Sequence, residues 1–525
     1  MMREQLVSLG VDHWLLPAML IWPIAAAVLV RLGGTDISRD DAGAGVPSGG
    51  PDARILTAIA LGVEALLSVL LWAVFDPEQR GWQAAIDLQW LPDPGATLSL
   101  GVDGISLPLV VLTAFMVFLA FLGSWNNVRV RTPAFGGLVL LLTSGLVGVF
   151  VTLDLLAFYL SWELMLIPTY LLVGVWGAAG TTRAALRYVL FTFVGSLLML
   201  LAIIALWSAG GAESLHIDSL LQIPLSSTAQ FWMFLAFFTA FCVKSALVPF
   251  HTWLPDAQEA APIIAAITIG LKVGGYGLLR FAIPLFPAAA TNETLRTVIL
   301  TLATIAVVYG SLVAFAQDDF KRVISYSSVS HFGLIVLAAF ALTPQSVQGA
   351  LIGIISSAIA TTALFLLAGM LEDRRGTTRF ADFGGIARVV PWFGAVLVIS
   401  IFSTIALPGT VGFVSEFLML LGTFATHPVP AVAATAGVIL SAMYGLRAVQ
   451  LLVFGSMENK SNNSLADFSG RERVVMAALV AAILYLGLAP GAVLNRANHA
   501  SQSLVEVVRF GPNAPVTLPP VSVKR

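Results

Sequence analysis

Five ionisable side chains inside long apolar runs of this chain are good candidates for chemistry: Glu163, Lys244, Lys272, His331 and Glu416. Glu163 follows Leu160-Ser161-Trp162, Lys244 lies between Cys242-Val243 and Ser245-Ala246-Leu247, and Lys272 opens Lys272-Val273-Gly274-Gly275-Tyr276-Gly277. His331 ends the polar strip Ser325-Tyr326-Ser327-Ser328-Val329-Ser330, and Glu416 follows Gly412-Phe413-Val414-Ser415. At the centre of a bilayer such residues cost at least ~2.5–3.5 kcal/mol each, so each needs a partner, a water-filled cavity or a change of protonation. Carboxylates, amines and imidazoles all exchange protons, imidazole in either direction near neutral pH. The order Glu, Lys, Lys, His, Glu reads as a horizontal proton relay at mid-depth. Glu163 and Lys244 form a natural pair that separation would switch, because each steadies the other's charge. Plainer roles stand beside these: a structural ion pair for Glu163, a snorkelling chain for Lys272, a hydrogen-bonded packing group for His331. His251, Asp256 and Glu259 fall near a span end, where capping competes with a role in proton entry.

The elements that must hold these residues are membrane helices. Of 525 residues 58% are hydrophobic and only 11% charged, against roughly 25% charged in soluble domains. A formal charge of -2, with no basic cluster interleaved with aromatics, sets nucleic acid aside. Cys242 is the single cysteine, which excludes a disulfide framework, a CxxC metal pair and thiolate ligation of an iron–sulfur cluster. Neither a GxGxxG fingerprint after a strand nor a Walker loop is present, so neither NADH nor ATP is expected to bind.

Crossing the hydrocarbon takes about 20 apolar residues in a helix. Fourteen candidate spans meet that measure, near 14–32, 55–75, 105–125, 134–152, 153–176, 184–208, 231–254, 262–284, 294–315, 322–342, 346–371, 391–425, 429–454 and 472–494. The first, from Leu15 to Val30, lacks a basic lead-in and a small-residue cleavage site and reads as a retained span. Loops after odd-numbered spans carry nearly all the Lys and Arg, including Arg129, Arg131, Arg183, Lys321, Arg374 and Arg375, whereas even loops hold little beyond Arg80 and Arg296. Odd loops should therefore face the cytoplasm and both termini the opposite side. Gly33 to Pro51 reads as a flexible loop and the Pro-rich tail after Phe510 as a solvated end.

Two spans are interrupted, at Val248-Pro249 and at Leu407-Pro408-Gly409, five spans apart. Broken helices at matching places point to repeats that build ion sites near the midplane. The expected fold is an all-α polytopic membrane protein of about fourteen transmembrane helices with two inverted five-helix repeats. Its parts are helices 1–3 (residues 1–130), a first repeat of helices 4–8 (131–290), a second of helices 9–13 (291–455), and a last helix with a tail (456–525).

Several stretches resemble one family: Asp154-Leu155-Leu156 through Trp162-Glu163-Leu164, Lys244 to Asp256-Ala257, Lys272 to Arg280, Ser325 to His331, and Leu407-Pro408-Gly409 to Glu416. Together they are similar to the antiporter-like membrane subunits of respiratory complex I, related to multisubunit sodium/proton antiporter chains, over roughly residues 100–455. A glutamate at the last position favours the subunit M (chain 4) type, since sister subunits have lysine there. The resemblance implies proton transfer by Glu163 and Lys244 as a coupled pair, Lys272 and His331 as connectors and Glu416 as terminal group. It also implies partners: other membrane subunits of the complex, with quinone, flavin and iron–sulfur clusters on those chains and no cofactor on this one. The membrane would be a prokaryotic plasma membrane, or a thylakoid.

Two departures from the family pattern stand out. Gln258-Glu259-Ala260-Ala261-Pro262 is shorter than the usual segment and lacks its histidine, and Ser357-Ala358 replaces a usual His-Gly pair. The second removes a proton carrier whose gap water could bridge. Rival functions are a cation/proton antiporter subunit needing no electron donor, and a structural subunit of a specialised ion-coupled or carbon-uptake complex.

Overall fold

The computed structural model describes residues 2–36, 51–91, 96–178, 181–211, 213–457 and 459–511. Most of the expected Gly33–Pro51 loop and the tail beyond Gly511 lie outside the described residues. The short helix α1 (Met2–Ser8) leads into α2 (Val11–Gly33) and α3 (Ala53–Val74). Two antiparallel strands follow, β1 (Gln83–Leu91) and β2 (Ala96–Val102), paired from Leu91 opposite Ala96 to Gln83 opposite Val102. This hairpin corrects the all-α expectation. Its segments are too short and too polar to cross a membrane, and the alternation Ile86-Asp87-Leu88-Gln89 suits a strand with one covered face. The hairpin is tied down where Leu153 N donates to Ser99 O at 2.8 Å and Thr97 N donates to Asp154 at 3.2 Å.

The helical body continues through α4 (Ser106–Gly123), α5 (Thr132–Val151), α6 (Leu155–Leu164), α7 (Leu166–Trp176), α8 (Thr182–Ala209), α9 (Ile217–Leu220), α10 (Ser227–Lys244) and α11 (Trp253–Ala260). After it come α12 (Ile263–Ile269), α13 (Val273–Gly277), a π turn at Leu278–Ala282, and the short α14 (Ile283–Leu285) and α15 (Pro287–Ala290). The long helices α16 (Glu293–Phe315), α17 (Phe320–Ala341) and α18 (Pro344–Arg375) precede α19 (Pro391–Thr404), α20 (Val411–Phe424), α21 (Pro428–Val449), α22 (Gly470–Leu488) and α23 (Gly491–Phe510). Among the described residues eleven helical segments are long and apolar enough to cross a membrane, or twelve if the bent pair α22/α23 counts as one. The two expected spans missing from that set are the interrupted ones, 231–254 and 391–425.

Both interruptions have the same local geometry. After α10, Ala246 is left-handed (φ 61°), Leu247 N reaches back to Cys242 O at 2.9 Å and Ala246 N to Val243 O. After α19, Ala406 is left-handed (φ 56°), Leu407 N reaches Phe402 O at 2.9 Å and Ala406 N reaches Ser403 O. This paired closure satisfies the last carbonyls of a helix and stops it, and the proline that follows cannot resume the ladder at once. A third interruption was not anticipated: expected span 262–284 is cut between α12 and α13, with Lys272 capping the second piece. The small residues Gly270 and Gly274-Gly275 there make a straight helix easy to break.

The last expected span, 472–494, is also revised. Its helix α22 stops at Leu488, and beyond Pro490 the chain turns by 61° into α23, which buries Val493, Ala497, Leu504, Val505 and Val508 and packs on α14, α15 and α18. At the centre of the bundle lies α18, opened by a capping box in which Thr343 and Ser346 satisfy each other's amides. Nearly every residue from Ser346 to Leu371 is buried, so α18 reads as apolar all round, as a helix enclosed by other helices should.

Candidate functional site

Asp154 starts α6 by accepting from Leu156 N (2.8 Å) and Ala157 N (3.2 Å), which fixes the register of Glu163, just ahead of the kink at Met165. Glu163 is half-buried, with Ser196 on α8 and Lys244 as its polar neighbours. The two are not in direct contact: no carboxylate lies within 4 Å of the Lys244 ammonium among the described residues. Instead Nζ donates to Tyr188 Oη at 3.0 Å and lies 5.3 Å from the Tyr188 ring and 5.8 Å from that of Trp162. Trp253, whose indole donates to Val243 O at 3.0 Å, backs Tyr188 from the far side. The pair is held in its separated form, with an aromatic cage taking up the lysine.

Lys272 is 2% exposed and has no hydrogen bond or ion pair within 4 Å among the described residues. Small residues let α13 approach α10 closely: Gly274 N donates to Ser245 Oγ at 3.0 Å, and a side chain at Gly274 would collide with Phe241 O. α13, which Lys272 caps, packs on α17, the helix of His331.

His331 and Glu416 are brought together. His331 Nδ1 lies 3.6 Å from Glu416 Oε1, and both side chains are largely buried. They share a cavity of about 20 Å³ with Ser327, Ser356, Ser357, Ser403 and Ser415, which is enough for one water. Glu416 Oε2, Ser357 Oγ and Ser403 Oγ are buried without a hydrogen-bond partner and line that space. A buried polar atom left unpaired costs about 1–3 kcal/mol, so a water donating and accepting among these groups fits the cavity. Ser357, which the sequence marks as a lost carrier, thus sits at the gap it would have left open.

Sequence reasoning missed Tyr188, Ser403 and Tyr444. Tyr444 on α21 is buried beside Glu416 and Ser327, and its hydroxyl makes no hydrogen bond at ordinary distance. A tyrosine within an apolar span was the available signal. His251 contacts Tyr309 Oη at 3.3 Å, and Glu259 accepts from Arg322 at 2.7 Å while Asp256 pairs with Arg187, which assigns the two acids to a charged network rather than to caps. Gln258, in the shortened segment, ties α11 to α12 by donating to Ala266 O at 3.0 Å.

Residues 152–443, more than half of the chain, match the profile of the NADH:quinone oxidoreductase/Mrp antiporter transmembrane family. The chain belongs to this family. The matched region holds Glu163, Lys244, Lys272, His331 and Glu416. NADH-quinone oxidoreductase subunit M of Rhodobacter capsulatus is 38% identical over 498 residues, covering 92% of this chain and 95% of that one. A chain of the solved respiratory complex I from Thermus thermophilus is 34% identical, with a TM-score of 0.82 over 93% of this chain and 99% of that chain. A chain of the Mrp complex from Dietzia sp. DQ12-45-1b shares the fold, with a TM-score of 0.79 at 20% identity over 96% of this chain and 57% of that one. Within this family member a further buried ion pair, Arg280 with Asp103, ties the π turn to the start of α4 and lets Arg280 lie 4.7 Å from the Trp82 ring of the hairpin.

Proposed function

We propose that this chain is a proton-translocating membrane subunit of an NADH:quinone oxidoreductase of the complex I kind, moving protons in response to quinone reduction in partner subunits. The observation that carries it is the His331–Glu416 pair at 3.6 Å around a water-sized cavity. Glu163 and Lys244 act as the coupled entry pair, Lys272 and His331 as connectors, and Glu416 as the terminal exchanger. Each holds a proton at a named atom and passes it through water or hydroxyls. The flavin, iron–sulfur clusters and quinone belong to partner chains, and sister antiporter-like subunits are the lateral neighbours. The matched breaks at Ala246 and Ala406 support two repeats of five helices. Counting the interrupted helices as spans gives fourteen crossings, with both termini on the non-cytoplasmic side of a prokaryotic plasma membrane or a thylakoid. The identity to a protein named subunit M, together with Glu416, supports the subunit M assignment.

Purification of the native assembly in mild detergent tests this. Comigration with flavin and iron–sulfur chains and with NADH:quinone activity is expected. Copurification with antiporter chains alone, without redox activity, would replace the proposal by a cation/proton antiporter subunit.

A further inference from the structure

Glu64 is fully buried near the middle of α3, and both of its carboxylate oxygens lack a hydrogen-bond partner. No cation lies within 4 Å of it among the described residues. A carboxylate charge at that place has no counter-ion within 4 Å among the described residues, so the site favours an acid that trades its proton over one that stays ionised.

Packing contacts of α3 fix the side of the helix on which it lies. Thr57, Ala60, Leu61, Glu64, Ser68 and Leu71 form one buried stripe along α3. Trp22 of α2 donates its indole N–H to Ala60 O at 2.9 Å, and Gly136 of α5 rests against Thr57 Oγ1. Glu64 lies on the stripe between those two directions, facing the seam of α2 and α5, whereas Gly62 turns to Phe118 of α4. Two turns beyond the Thr57–Gly136 contact, the chain positions at the same level are Glu64 and Thr143. Ser144, next along α5, donates to Leu20 O of α2 at 2.9 Å. On α2, Pro23 has no N–H to give the Met19 carbonyl, which leaves a free acceptor at about this depth.

The opposite face of α5 touches the kink that carries Glu163. Gly145 rests against Met165 and the Ser161 carbonyl, and Gly148 against Ser161 Oγ. One helix, thinned by glycines and bearing Thr143 and Ser144, separates the two acids. We infer that Glu64 is a sixth proton-exchanging group, extending the row beyond Glu163 toward the α2/α3 edge of the molecule. In this step the Glu64 carboxyl passes its proton to a water beside Thr143 and Ser144, whose hydroxyls donate to Val139 O and Leu20 O and so offer it acceptor lone pairs, as a second proton arrives on the other carboxyl oxygen and no lone carboxylate is left. Ser161 lies on the path to the Glu163 carboxylate, and Glu64 is reprotonated from the α2 side, so charge and atoms balance.

This rests on the proton-transfer function proposed above, and the test separates the two. In the intact complex in vesicles, NADH-induced infrared difference spectra should contain a protonated-carboxyl band that Glu64→Gln removes and Glu64→Asp shifts. A buried acid that keeps its proton throughout gives at most a shifted C=O band, whereas an exchanging one loses that band and gains carboxylate stretches during turnover. Protons taken up per quinone reduced should fall about twofold or more in Glu64→Gln and recover in part in Glu64→Asp. Glu163→Gln is measured in parallel. If it lowers the ratio while Glu64→Gln leaves both ratio and spectrum as in the parent, the inference on Glu64 is wrong and the function stands. If neither changes the ratio, both fail. Should Glu64→Gln not assemble, an unchanged carboxyl band in Glu64→Asp overturns the inference.

Discussion

Replacing Glu416 isolates the His331–Glu416 step. When the proton resides on His331, the imidazolium faces the carboxylate across 3.6 Å. At an effective dielectric constant of about 20 that attraction is worth about 4.6 kcal/mol. Glu416→Gln keeps the volume and removes the attraction, raising the charge-separated state by that amount and slowing passage through it about a thousandfold. Glu416→Asp withdraws the carboxylate by about one C–C bond, ~1.5 Å, which weakens the attraction to about 3.3 kcal/mol and slows the step about tenfold. The intact complex reconstituted in vesicles, with an entrapped pH dye and quinone reduction followed in parallel, reads both. The pumping carried by this chain should vanish in Gln and survive in part in Asp. Equal proton uptake per quinone in Gln, Asp and parent, with the assembly shown whole, would remove Glu416 from the mechanism and leave it a packing residue.

Glu163→Gln should abolish most proton pumping while the complex assembles, as vesicle uptake and native gels together would show, because it deletes the exchanging charge but keeps the shape and a polar head group at that place. Ser357→Leu fills the cavity of about 20 Å³ and should block proton uptake far more than Ser357→Ala, which leaves room for the water; equal loss in both would argue against a bound water. Asp103→Asn leaves Arg280 as a buried cation without its counter-charge and should cost about 3–5 kcal/mol, seen as a lowered thermal midpoint of the purified complex. An unchanged midpoint would show that the pair contributes little.

Much of this molecule was legible in its sequence because a bilayer leaves few choices. Apolar runs of span length must be helices, since backbone groups find no water there, and every charge inside such a run demands a reason. That logic found Glu163, Lys244, Lys272, His331 and Glu416 and the two proline breaks. The alternation at Ile86-Asp87-Leu88-Gln89 was an available signal for the hairpin at Gln83–Val102 that a count of spans passes over, whereas the interruption at Lys272 and the turn at Pro490 depend on what packs beside them.

Only the tertiary structure decided which groups meet. Lys244 faces Tyr188 rather than Glu163 because the left-handed turn at Ala246 ends α10 and the Trp253 indole clamps Val243 from the far side of the break. Ser357, judged from its type alone, is a missing histidine; placed by α18 against α17 and α20, it lines the space between His331 and Glu416. Glu64 drew no notice although it lies in the expected span 55–75, because no polar strip or helix break marks its run, and its burial and unpartnered oxygens appear only in the fold. The sequence by itself determined the solvent, the helices and the inventory of exchangeable protons. Their connectivity belongs to the fold, because hydrogen-bond reach is a few ångströms and residues as far apart in the chain as 331 and 416 enter that reach only when α17 and α20 pack together.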